Sequence, residues 1–187
     1  GLFASNIFFI ASIFLFIKLL LFDGFQKDIK WIIGYILLFP FSFYFSSVYT
    51  ESFFLFLVLA SFLASRHRYW FVAVFFGGLA SATRLVGVFL LPALLIEWFS
   101  DRNQKRRSVL QLCWLFFIPV GLLIYMAYLS YTFGDALYFW HAQSVFGAQR
   151  SGNGIISPPQ VLWRYIKILT TIPYSIYDFW VALWEGV

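Results

Sequence analysis

The stretch VLQLCWLFFIPVGLLIYMAYLSY, residues 109–131, decides how the chain is read. It carries no charged side chain, and a helix needs about 20 mainly apolar residues to cross a bilayer. It therefore reads as a membrane span. Arg102, Lys105, Arg106 and Arg107 precede it, and a long mixed segment opens after it at Thr132. Cys113 inside the run is the only cysteine. It excludes an internal disulfide and is read as a packing residue.

The composition points the same way. Hydrophobic residues make up 62% of the 187 and charged residues 11%, against roughly 45–50% and about 25% in soluble domains. So little charge cannot cover a water-facing surface, and lipid is the expected solvent. Aromatics reach 24%, with 26 Phe, 11 Tyr and 8 Trp. Phe suits lipid-facing and core positions, while Trp and Tyr favour the interfacial belts. A net charge of +5 would suit nucleic acid in a soluble protein. In a membrane protein it reads as cytoplasmic Lys and Arg, and no nucleic-acid partner is expected.

Other spans lie on either side. Leu2–Phe22 qualifies, with Lys18 close enough to its end to snorkel. Residues 23–30 form a polar break, and residues 31–45 are apolar but contain Pro40, expected to end or kink a helix near Phe39. Residues 52–65 stop at Arg66-His67-Arg68, and residues 69–82 and 85–99 flank Arg84. Residues 161–187 are apolar and aromatic, with Arg164 and Lys167 near their start, and have room for one more span. The expected fold is all-α: a polytopic transmembrane helix bundle of about six to seven membrane segments. It forms a single membrane-embedded domain over residues 1–187. Gly1 is not an initiator Met, and Leu2 opens an apolar run without the basic region of a signal peptide. The chain is therefore expected to be incomplete at its N-terminus.

Basic residues set the expected orientation. Arg66 and Arg68, the group Arg102, Lys105, Arg106 and Arg107, and the pair Lys27 and Lys30 all fall in loops that the positive-inside rule places in the cytoplasm. The chain between Arg68 and Arg102 must then cross out and back, turning at Thr83-Arg84. The same alternation puts Tyr49-Thr50-Glu51 and the loop of about 132–160 on the extracytoplasmic side. The chemically versatile residues Glu51, Arg84, Asp135, His141, Gln143 and Arg150 collect there.

Each of these residues has two readings. Glu51 suits either a ligand-orienting acid or partner for Arg84, or an acid complementing a helix N-terminus. Arg84 is the lone charge between Tyr69 and Ile96. An Arg in a membrane segment is a functional hypothesis by default, and a guanidinium pairs with phosphate through two parallel hydrogen bonds. The plainer reading is an Arg snorkelling to the headgroups. In the loop, Trp140, His141, Gln143 and Gln149 mix rings with hydrogen-bonding groups, which suits sugar binding. An interfacial helix would look similar. No His, Cys, Asp or Glu spacing argues for zinc, and neither a Gly-rich phosphate loop nor a serine nucleophile elbow occurs.

Leu38-Phe39-Pro40 through Val48-Tyr49-Thr50-Glu51-Ser52, followed by Gly78-Leu79-Ala80 through Thr83-Arg84-Leu85-Val86-Gly87, resembles the PIG-V-like mannosyltransferases. Phe133-Gly134-Asp135-Ala136-Leu137, with Phe139, His141-Ala142-Gln143 and Pro158-Pro159, is similar to the extracytoplasmic region of that family. These are polytopic glycosyltransferases of the GT-C class. The resemblance implies a GT-C helix bundle that transfers mannose from a polyprenyl-phosphate donor to a lipid-linked or glycan acceptor, with inversion at the sugar. It also implies a lipid environment and a binding or supporting role for Tyr49, Glu51, Arg84, Asp135, His141 and Gln143. No cofactor is expected beyond the polyprenyl-phosphate sugar as donor substrate, and dependence on a divalent metal stays open. The membrane would be the plasma membrane in a prokaryote and the endoplasmic reticulum in a eukaryote. The family's catalytic acid usually lies near a Trp-Asp element ahead of the matched region. No such element occurs here, so no catalytic base is assigned.

Three other readings stay open: a GT-C transferase for another sugar, a transporter or flippase, and a non-catalytic membrane subunit. A transporter places polar groups near the bilayer midplane, on broken helices in repeated halves. Here the polar groups cluster toward one interface and no repeat is evident, which favours the enzyme.

Overall fold

A computed structural model describes residues 1–39, 42–47, 49–100, 108–142, 158–173 and 176–185. In chain order these form α1 (Leu2–Phe22), α2 (Ile29–Leu38), α3 (Phe43–Ser46), α4 (Glu51–Arg66), α5 (Trp70–Thr83), a 3-10 turn (Leu85–Phe89), α6 (Leu90–Ser100), α7 (Val109–Leu115), α8 (Val120–Phe133), α9 (Tyr138–His141), α10 (Pro158–Thr171) and α11 (Tyr177–Glu185). The described residues are all-helical, with no strand among them. The chain divides into two compact units, Gly1–Ala136 and Leu137–Val187, and each is described by itself. Two helical stretches, Leu2–Phe22 and Val109–Phe133, are long and apolar enough to cross a membrane.

Where the helices stop follows from local chemistry. The α2 helix ends at Leu38, with Phe39 in an extended conformation, because the residue before a proline is pushed out of the helical region. Gly134 ends α8 in the left-handed conformation, φ 73°, which costs glycine little. Residues 109–133 are one apolar stretch but not one regular helix. The N–H groups of Phe116, Phe117, Ile118 and Val120 bond three residues back, to Cys113, Trp114, Leu115 and Phe117. The chain tightens there to 3-10 geometry, and Pro119, which has no N–H to lose, starts α8. The apolar stretch 161–187 departs further from expectation. It divides at Pro173 into α10, of 14 residues, and α11, of 9. Neither has the length of about 20 residues that a span needs.

In the first unit, α1 and α4 run in the same direction. The Ser5 hydroxyl approaches the Tyr49 carbonyl at 3.4 Å, Phe8 meets Phe53 edge-on, and Phe22 meets His67. The chain returns between them through α2 and α3. Helix α5 runs back along α4, α6 reverses again, and α7 and α8 run alongside α5, with Phe71 against Trp114. One end of this bundle therefore gathers Tyr49, Glu51 and Arg84. The other gathers Asp23, Arg66 and Glu97, where the Arg66 guanidinium reaches Asp23 at 3.5 Å and Glu97 at 3.2 Å. That cation ties the ends of three segments together.

The contacts between helices use small residues. Ala60, Ser61, Ala64 and Ser65 of α4 are buried, as are Ala73, Gly77, Ala80 and Ser81 of α5. Buried serines bond to backbone carbonyls: Ser61 donates to Ala73 at 2.8 Å, and Ser81 donates to Ile118 at 2.5 Å and to Gly78 at 2.9 Å. A side chain on Gly121 would strike the Gly78 carbonyl, so α5 and α8 approach as closely as they do only because position 121 is glycine. Large apolar side chains such as Phe3, Trp31, Phe71, Phe89, Phe117 and Ile124 face outward. Cys113, expected to pack, is exposed.

Candidate functional site

Glu51 is the first residue of α4, where a carboxylate complements the positive end of the helix. Arg84 sits between α5 and the 3-10 turn in an extended conformation, φ −147° and ψ 140°. Its N–H closes α5 on the Ala80 carbonyl at 3.0 Å, and its own carbonyl accepts from Gly87 at 2.9 Å. Gly87 is required here, because any side chain would collide with the Ala80 carbonyl. The Thr83-Arg84-Leu85-Val86-Gly87 segment thus folds onto its own helix and holds the Arg84 backbone in place.

That placement brings Arg84 to Glu51 across 33 residues of sequence, with Nη2 donating to Oε1 at 2.7 Å. The guanidinium carbon also lies 5.8 Å from the centre of the Phe54 ring, one turn along α4, within reach of a cation–π contact. Among the described residues only Nη2 of the guanidinium is engaged. The Arg84 side chain keeps 39% of its surface open, so its remaining donors are available to a ligand. On the carboxylate, Oε2 is buried and lacks a hydrogen-bond partner. Buried polar atoms nearly always have a partner, and this oxygen has none among the described residues.

Beside the ion pair lies a cavity of about 750 Å3 between α1, α2, α3 and α4. Its walls are mainly apolar, including Ile13, Phe16, Ile36, Phe45 and Leu55. Ser12, Tyr35, Tyr44 and Glu51 supply the polar groups. Phe9 and Phe45 stack at 5.3 Å where α3 meets α1. The space thus has the character of an apolar slot with one carboxylate on its wall and a cation beyond it.

The structure brings together some of the expected site residues. Glu51 and Arg84 are paired, and Glu51 has both roles that its position suggested, helix N-terminal acid and partner of Arg84. Tyr49 is exposed, and its ring stands edge-on to Tyr44 of the cavity wall at 5.7 Å. Asp135 follows Gly134, just beyond the end of α8. His141 closes α9 in the second unit. Gln143 and Arg150 lie outside the described residues. The cavity residues Ser12, Tyr35 and Tyr44 were not singled out from sequence. The available hint was a polar atom in each of two apolar helices, Ser12 in α1 and Tyr35 in α2. No group of three or more His, Cys, Asp or Glu gathers among the described residues.

Comparison with protein-family models, with curated proteins and with solved structures finds no match.

Proposed function

We propose that the chain is part of a multi-pass membrane glycosyltransferase of GT-C type. In this reading it transfers mannose from a polyprenyl-phosphate donor to a lipid-linked or glycan acceptor at the extracytoplasmic face. The observation that carries the reading is the Arg84–Glu51 pair at 2.7 Å, beside an apolar cavity whose wall includes Glu51. A lipid-phosphate sugar has an apolar chain, a phosphate and hydroxyls. The cavity suits the chain, and the open guanidinium donors suit the phosphate through charge-assisted hydrogen bonds. Glu51 orients the guanidinium through Oε1. The motif resemblance around Tyr49-Thr50-Glu51 and Thr83-Arg84 names the sugar class.

Membrane embedding is supported by the two long apolar stretches, by the outward-facing aromatics and by helix contacts built from small residues and serines. The shorter helices α2, α4, α5 and α6 add further passes in this reading, tilted or in a thinned bilayer. The end of the bundle holding Arg66 faces the cytoplasm, and the Glu51–Arg84 end faces away. No described residue is assigned as catalytic base.

The test is transfer from a polyprenyl-phosphate sugar by the full protein in membranes. Arg84→Ala removes hydrogen bonds to a charged group, each worth about 1.5–3 kcal/mol. Transfer efficiency should then fall by about 10- to 100-fold while membrane insertion is unchanged. Wild-type rates in an inserted Arg84→Ala protein would overturn the phosphate role.

A further inference from the structure

The described helices include one that differs in kind from the rest. Helix α10 is the most strongly two-faced of the longer ones. Val161, Leu162, Tyr165, Ile166, Ile168 and Leu169 recur at helical spacing along one side. Gln160, Arg164, Lys167 and Thr171 occupy the opposite side, and the helix contains no acidic residue. Its partner α11 covers only part of the apolar side. Tyr165, Ile168 and Leu169 are half-buried, while Leu162 and Ile166 stay 57% and 52% exposed and Trp163 stays 66% exposed. Arg164 and Lys167 are exposed as well.

We propose that α10 is a bilayer-surface contact, lying in the plane of the membrane on anionic lipid. Leu162 and Ile166 would enter the acyl boundary, and Arg164 and Lys167 would stay among the headgroups. Three observations select lipid over a protein partner. A strong two-faced pattern at modest net hydrophobicity, with basic residues on the polar face, is the signature of an interfacial helix. At 14 residues α10 falls short of the length of about 20 needed to span, so its exposed apolar strip cannot be satisfied by crossing. An all-basic charged face complements a negative headgroup layer, where each Lys or Arg adds about 1 kcal/mol of attraction, or roughly fivefold in partitioning. Trp163, beside the boundary between the two faces, is the residue type that anchors at that depth. The inference rests on the membrane reading of the chain and is independent of any sugar transfer.

The test uses the full protein with Cys113→Ser and one new cysteine carrying an environment-sensitive dye. The dye is placed in turn at Leu162, at Gln160 and, as a bilayer reference, at exposed Phe14 of α1. Each protein is reconstituted into phosphatidylcholine vesicles with and without phosphatidylglycerol, and quenching by lipid-borne and by aqueous quenchers is compared. Lipid-borne quenching should be several-fold stronger at position 162 than at 160. Phosphatidylglycerol should increase it, and Arg164→Glu with Lys167→Glu should reduce it several-fold while leaving position 14 unchanged. Equal quenching at 162 and 160, or no response to charge reversal, would overturn the proposal. Protection of position 162 from both quenchers would assign the strip to protein instead, either the rest of this chain or a second copy. Loss of lipid quenching at position 14 would instead sink the membrane reading, so the two failures are distinguishable.

Discussion

Arg84 and Glu51 illustrate what a single side chain decides in this molecule. Each holds the other in a defined geometry, and neither is replaceable by charge alone. Glu51→Gln keeps the shape and one acceptor, whereas Glu51→Ala leaves the Arg84 guanidinium without its fixed partner. In the proposed reading, Glu51→Gln lowers transfer less than Glu51→Ala does, the latter approaching the 10- to 100-fold loss expected for Arg84→Ala. Rates of the full protein with a polyprenyl-phosphate sugar rank the two variants, and the reverse order would remove Glu51 from the orienting role. Arg84→Lys is not conservative, because an ammonium lacks the planar fork, and it is expected to fall nearer to alanine than to wild type. Both residues were legible in the sequence as charges standing alone at helix ends. That they touch was one of two readings, since helix spacing cannot relate residues 33 positions apart in different helices. Ser12, Tyr35 and Tyr44 were not legible as site residues, because a cavity is made by the gap between four elements and no one of them carries its pattern.

Between elements, the decisive contacts are close approaches and serine hydrogen bonds. Gly121 faces the Gly78 carbonyl, and any side chain there must push α8 from α5. Gly121→Ala is therefore expected to cost about 1–3 kcal/mol, as overpacking does, and to lower the melting temperature of the detergent-solubilised protein. Gly34→Ala, where a side chain meets nothing, should leave it unchanged or slightly raised and serves as the control. Ser81→Ala loses the bond to the Ile118 carbonyl and should cost about 0.6–1.7 kcal/mol, the range for polar contacts between membrane helices. The same melting measurement checks it. Helix boundaries at Phe22 and Phe39 were readable from charge and proline, whereas α8 runs two residues past the expected end at Tyr131 to stop at Gly134. The break at residues 116–119 was readable only as a proline in an apolar run. The division of residues 161–187 was missed because hydropathy counts apolar residues without asking whether they share a face. Counting faces would have separated α10, whose charges recur on one side.

For the whole molecule, the alternation of helix directions places two groups of charge at opposite ends of the first unit. If the bundle lies in a membrane as proposed, single cysteines introduced at Tyr49 and His67 in a Cys113→Ser background should label from opposite sides. Position 49 should react from the extracytoplasmic side and position 67 from the cytoplasm. Reaction of both with the same impermeant reagent on one side of sealed vesicles would contradict that topology. Composition and the lengths of its apolar runs alone determined that this chain is helical and too apolar to present an ordinary water-facing surface, because both follow from local counts of side chains. Those counts also located the ends of α1, α4 and α5 to within a residue, because such ends depend on residues within a turn of the boundary. Only the tertiary structure decided that Glu51 and Arg84 meet, that a cavity opens between α1, α2, α3 and α4, and that α10 leaves an apolar strip uncovered. Each of these depends on which faces of distant helices come together. Between α4, α5 and α8 that choice is made by small residues and serines, which carry almost no hydropathy signal.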